Sequence, residues 1–145
     1  MSTIGDGTTI RALLERRAAT DRDRPYLRFA GETITFAQMD AGVNRLANAL
    51  AGEGLGAGDR VAVMLPNHPD HVRTFLAAAK LGLVQIPVNI NLKGSSLEYL
   101  FEHSRPRAVI ADSRFAPQLA PALARARPEV LVWRGGALAA AAGGP

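Results

Sequence analysis

Few side chains in this chain are placed to do chemistry. His68, Asp70 and His71 fall within four positions, and two histidines at i, i+3 share a helix face, which is the beginning of a metal site. A metal needs a third and a fourth ligand and none can be named, so the three read as polar residues at the start of a helix. Ser95 and Ser96 lack a paired His and Asp in a recognisable setting, and helix capping accounts for one of them. Glu98 and Glu102 form an i, i+4 pair on one face with nothing to raise their pKa, a solvated face rather than an acid and a base. Lys93, in an exposed loop beside Gly94, is the one cation that reads as a ligand contact. The absence of cysteine excludes disulfides, thiolate catalysis and Cys-ligated zinc. No catalytic or metal-ligating residue is assigned.

The glycine-rich stretch G-E-G-L-G-A-G-D at 52–59 has the look of a phosphate loop. A dinucleotide-binding loop needs G-x-G-x-x-G after a strand and before a helix, so that helix amides face the pyrophosphate. Here the order is helix then strand and the spacing also differs. The stretch reads as a helix stop and a turn.

The elements that would position these residues centre on Asp59 to Asn89. Arg60 to Leu65 is apolar on successive positions, as in a parallel strand covered on both faces. Pro66 stops it. Pro69 suits a first helical turn, Asp70 favours the positive end of the dipole, and Val72, Phe75, Leu76 and Ala79 recur at helical spacing up to Gly82. Leu83 to Val88 is a second apolar run. The unit reads strand, helix, strand, one parallel crossover.

Upstream, Thr8 or Thr9 caps a helix with Ile10, Leu13, Leu14 and Ala18 on one stripe, ended by the polar segment 20–24 and Pro25. Tyr26 to Phe29 and Thr33 to Thr35 form a hairpin turning at Gly31. Thr35 and Gln38 make a capping box opening a long helix with Phe36, Met39, Val43, Leu46, Ala47 and Leu50 on one face. Downstream, Ser95 to Glu98 reads as a second capping box, opening a helix that buries Leu97, Leu100 and Phe101. Pro106 breaks it and Arg107 to Ala111 is a third strand. Pro117 and Pro121 cannot both sit in an unkinked interior. The next helix therefore begins near Pro117 and is disturbed at Pro121, or begins only at Pro121. Glu129 to Trp133 is a fourth strand. From Arg134 the chain becomes low in complexity, which divides it into residues 1–133 and a tail, 134–145.

At 145 residues and 48% hydrophobic, the chain suits one core. The net charge of +4 raises the question of nucleic acid. Fifteen of the seventeen cations are arginine, scattered among acids without a basic helix or aromatic stripe, so a solvated surface is expected and no nucleic-acid partner. There is no leader-like amino terminus and no apolar run of the roughly 20 residues that cross a bilayer, so a cytoplasmic protein is expected.

Four stretches together carry a family resemblance: G-E-T-I-T-F-A-Q-M-D-A-G-V-N-R-L-A-N-A-L at 31–50, G-D-R-V-A-V-M-L-P-N-H-P-D at 58–70, F-L-A-A-A-K-L-G at 75–82 and I-P-V-N at 86–89. In this order they resemble the amino-terminal part of AMP-forming acyl-CoA synthetases, the adenylate-forming superfamily. V-N-x-x-x-K-G at 88–94 followed by L-E-Y-L-F-E-H-S resembles the carnitine or crotonobetaine CoA ligase branch. The resemblance implies an α/β fold, the three-layer, Rossmann-like parallel-sheet N-terminal subdomain of an adenylate-forming enzyme.

It also implies that the full-length family uses ATP, Mg2+ and CoA: a carboxylic acid becomes an acyl-adenylate, pyrophosphate leaves, and the CoA thiol displaces AMP, as in fatty acid metabolism. The family's phosphate-holding loop, its magnesium Glu, its ribose Asp and its adenylation lysine all follow the region matched, and no T-S-G-T-T-G-x-P-K-like string occurs in these 145 residues. Some members carry an arginine in the loop after the second strand where this chain has Asn91, so no CoA contact carries over to that position. The expectation is a fragment ending before the first catalytic motif, inactive alone and without cofactors of its own. The alternatives are an assembly module that complements a separately encoded ligase remainder, or a free-standing nucleotide-binding domain.

Overall fold

The structure, a computed structural model, describes residues 8–135. Its centre is the strand–helix–strand unit expected from the sequence. β3 (Arg60–Met64) runs parallel to β4 (Val84–Pro87), and α3 (Pro69–Leu81) connects them. His68 caps α3 by accepting the Asp70 amide at its Nδ1, and Pro69 occupies the first turn. Gly82 ends the helix with φ of +71°, the left-handed region that a side chain resists.

β5 (Ala108–Asp112) pairs with the other side of β3, and β6 (Val130–Arg134) pairs with β5, giving a parallel sheet of order β4-β3-β5-β6. α4 (Gly94–Ser104) and α5 (Ala116–Ala126) make the later connections. The path reverses direction after β4. Under right-handed crossovers a reversal moves the connecting helices to the opposite face. Alternate residues of β3 record this: Val61 and Val63 pack with Leu50 of α2 (Phe36–Gly52) and Ala78 of α3, while Ala62 and Met64 pack with Leu97, Phe101, Leu119 and Ala122 of α4 and α5. The result is the three-layer α/β architecture.

Thr9 caps α1 (Ile10–Thr20), which adds Leu14 to a third cluster with Met39, Val43 and Leu76. β1 (Pro25–Phe29) and β2 (Glu32–Thr35) form the hairpin, turning through Ala30 and Gly31, both at positive φ as a two-residue turn requires. Both halves of the capping box at Thr35 and Gln38 are formed.

Two local expectations need correction. α4 has no capping box: its N-cap is Lys93, which makes no side-chain cap bond, and Ser95 and Ser96 lie exposed inside the first turn. Glu98 cannot reach back to a cap because its carboxylate is held 3.0 Å from Arg125 Nε on α5. The buried face of α3 is also rotated from the expected one. Thr74, Leu76, Ala77 and Ala78 are buried, while Phe75 is 46% exposed, because small side chains let α3 fit between α2 and the sheet. Of the two readings of the Pro117 and Pro121 segment, the earlier start is the observed one. Pro117 lies in the first turn of α5 and Pro121 inside the helix, after a short 3-10 turn at Ser113–Phe115. Arg134, where the composition changes, is the last residue of β6; residues 136–145 of the low-complexity segment lie outside the described residues.

Candidate functional site

In an open parallel sheet, ligands sit outside the carboxyl ends of the strands where the strand order reverses. Here that position lies between β3 and β5. The turn Leu65 to His68 leaves β3 there, and Asp112 and the 3-10 turn leave β5. Arg134, at the end of neighbouring β6, reaches into the same place.

These residues form a continuous ion network. Arg134 Nε lies 2.9 Å from Asp70 Oδ2, and its guanidinium also donates to Asp112 Oδ2 at 2.6 Å. Arg73 donates to the other oxygen of Asp70 at 2.8 Å, and Arg114 donates to Asp112 Oδ1 at 3.1 Å through both its backbone amide and its Nε. His68 Nδ1 is 3.1 Å from Asp70 Oδ2. Room for Arg73 comes from Gly42 of α2: a methyl group there would meet Arg73 Nε at 2.9 Å. Beside the network, Gly42, Arg45, Arg73 and Arg134 border a cleft of about 500 Å³ floored by Leu65, Ile110 and Val132.

The electrostatics follow from this wiring. Burial alone would raise the Asp70 carboxyl, but hydrogen bonds from Arg134 and Arg73 outweigh it and hold the group below the ordinary aspartate range. Burial likewise opposes ionisation of Asp112, and the Arg114 amide with Arg134 and the Arg114 side chain reverses the balance. Asp70 raises the Arg134 guanidinium in return. Both aspartates are anions at neutral pH with their acceptor positions occupied. Such groups make poor general acids and bases. Each is already committed to two arginines, and among the described residues no group of three His, Cys, Asp or Glu converges as a cation cage. The carboxylates present therefore do not fit Mg2+.

The structure separates the residues picked out in the sequence. His68 is a helix cap and Asp70 the hub of the network. Glu98 and Glu102, expected on a solvated face, both bind Arg125. Lys93 is exposed at the start of α4, and its ammonium has no hydrogen-bonded or ionic partner among the described residues. Asn91 donates its amide to Asn89 Oδ1, a tight turn in the loop after β4. That loop is pinned by Gln118 of α5, whose Nε2 donates to the carbonyls of Ile90 and Leu92. Asp112, Arg134 and Gln118 carried no signal in the sequence, since the contacts that join them to other elements lie 22 to 64 positions away.

Comparison with known proteins places this geometry. A family model described as AMP-binding enzyme matches residues 14–142. A long-chain-fatty-acid–CoA ligase, FadD13, from Mycobacterium tuberculosis is 33% identical over 117 residues, 80% of this chain and 23% of the relative. A feruloyl-CoA synthase from Amycolatopsis is 35% identical over 112 residues, 77% of this chain and again 23% of the relative. The chain thus spans about a quarter of the length of these curated relatives. Among solved structures, the N-terminal domain of FACL13 from Mycobacterium tuberculosis superposes with a TM-score of 0.77 at 30% identity, covering 87% of this chain and 33% of that one. An anthranilate CoA ligase, AuaEII, in complex with anthranoyl-AMP, gives 0.82 at 26% identity, over 91% and 26%.

Proposed function

The chain belongs to the AMP-binding enzyme family, and from that premise we propose that it is the amino-terminal scaffold of an AMP-forming acyl-CoA ligase and turns over no substrate by itself. One observation carries the reading. At the switch point of the sheet, where a ligand site would lie, both carboxylates are consumed by arginines, and among the described residues no glycine-rich phosphate-holding loop follows β3 or β5. The scaffold fixes the carboxyl edge of the sheet so that later parts of a ligase can build on it. In the assembled enzyme a carboxylic acid would be activated with ATP and Mg2+ and passed to CoA, and Lys93 would serve as a ligand contact. The two relatives are named for acids as different as long-chain fatty acids and ferulate, so the reading extends to carboxylic acids as a class. Among the described residues no helix is long and apolar enough to cross a membrane, in keeping with the cytoplasmic setting we propose.

The test is incubation of the purified chain with ATP, Mg2+, CoA and a panel of carboxylic acids while pyrophosphate is measured. No release above background is expected, and robust turnover would overturn the reading.

A second reading, an assembly module for a separately encoded ligase remainder, has its own support at the β4 edge of the sheet. There Val84 is 50% exposed, and its neighbour Gln85, on the other face of the strand, borders an apolar cleft with the exposed Phe75 and Phe29. Co-expression with a chain bearing the phosphate loop should restore ligase activity. Absence of both binding and complementation would remove this reading.

A further inference from the structure

At the opposite end of the sheet, the amino ends of β3, β5 and β6 enclose a cleft of about 750 Å³. Five arginines and three carboxylates line it. The carboxylates are all consumed by two of the arginines: Asp59 and Glu129 by Arg107, Glu102 by Arg125. Arg60, Arg105 and Arg127 are left with no acidic partner among the described residues.

Two of these three are held in a costly backbone conformation. Arg105 ends α4 at φ of +45° and Arg127 ends α5 at φ of +46°, each directly before a proline. Left-handed geometry at a helix end is glycine's role, and a following proline disfavours helical backbone further. Complementing the negative helix ends does not explain the choice, because His103 and Arg125 already stand in the last turns of α4 and α5. The same strained arginine thus recurs in successive units, and both copies face one cleft. Strain retained against an available relief points to function.

We propose that this cleft binds a small oligophosphate, with Arg60, Arg105 and Arg127 donating to its phosphoryl oxygens. Guanidinium forks match phosphate geometry, and three unpaired cations suit a compact ligand with several charges. The site lies at the end of the sheet opposite the Asp70 and Asp112 network, and it does not depend on the ligase reading.

The experiment is calorimetric titration of the chain with tripolyphosphate, with sulfate at matched ionic strength as the control. Saturable binding that exceeds sulfate and weakens as salt rises is expected. Arg105→Gly with Arg127→Gly should weaken it about tenfold or more, since each removes a charge-assisted contact, while raising the thermal midpoint by a few degrees as the strain is relieved. Arg60→Gln, at an unstrained and exposed strand start, should weaken binding with the midpoint unchanged. No saturable heat, affinity that survives these variants, or a lowered midpoint in the glycine pair would overturn the proposal. So would an oligonucleotide that binds more tightly than tripolyphosphate.

Discussion

Arg134 closes the carboxyl edge of the sheet by reaching Asp70, 64 positions earlier, with Nε 2.9 Å from Oδ2. The same guanidinium holds Asp112, a buried residue at 6% exposure. The ends of β5 and β6 and the start of α3 are thereby tied through one side chain. Arg134→Gln should destabilise the chain by about 2 kcal/mol, since it leaves Asp112 short of a charged partner. Urea unfolding of Arg134→Gln, Asp112→Asn and the pair should show a double variant less damaged than the two single losses combined. Simple additivity would show that the contact carries no coupling.

The two capping sites separate in the same kind of measurement. Thr35 accepts the Gln38 amide and Gln38 answers to the Thr35 amide, so Thr35→Ala should cost about 1 kcal/mol. Ser95 and Ser96 sit past the N-cap with no cap bond, and Ser95→Ala and Ser96→Ala should stay within about 0.5 kcal/mol of the parent. A loss at either serine equal to that at Thr35 would contradict the observed start of α4.

This contrast shows what a sequence can carry. Periodicity and stop signals are local, so the crossover around β3, the Thr35 cap and the Gly82 stop are legible. The Ser95 to Glu98 pattern has the same local form, yet Glu98 is drawn away by Arg125 on another helix, and tertiary pairing overrides the cap. The exposed Phe75 fails for a related reason: spacing marks an apolar stripe but not which part of it meets a neighbour. The network at the carboxyl edge is less visible still, because Asp70, Asp112 and Arg134 meet only once the strand order is set.

Two glycine-to-alanine substitutions should act with opposite sign. Gly82 has φ of +71°, and an added methyl would lie 3.2 Å from the Ala57 side chain. Gly82→Ala should cost about 1–2 kcal/mol. Gly52 closes α2 with open space where the methyl would sit, and Gly52→Ala should gain up to about 1 kcal/mol from helix propensity. Thermal unfolding reads both, and a shared sign would refute the distinction.

Lys80 joins three helices. Its ammonium lies 2.6 Å from Asp40 Oδ1 and 2.7 Å from Asn44 Oδ1 on α2, and 3.4 Å from Glu15 Oε1 on α1. With only 7% of the side chain exposed, Lys80→Ala should cost about 2 kcal/mol through the lost charged hydrogen bonds. Amide exchange should then quicken in α1 before it does in the sheet, because α1 packs on α2 and α3 and adds no residue to the two clusters that cover the sheet. Uniform loss of protection would place Lys80 in the global core instead.

The acid limb of stability should trace to the carboxyl-edge aspartates. Asp70 and Asp112 are both held below the ordinary aspartate value, which is about 3.9 in an unfolded chain. A depressed folded value means that their contribution is fully present above the unfolded value and is lost as pH falls through the folded one. Asp59 is also lowered, first by the Gly56 amide and then by Arg107, and adds to the same acid limb. Stability should therefore stay level from neutral pH to about 5 as far as these groups decide it, then fall steadily below about 4. Asp112→Asn should lower the plateau by about 2 kcal/mol and flatten the acid limb, since the amide neither titrates nor pairs as an anion with Arg134. Urea midpoints at successive pH values measure both changes, and an acid limb unaltered in Asp112→Asn would assign the acid sensitivity to other carboxylates.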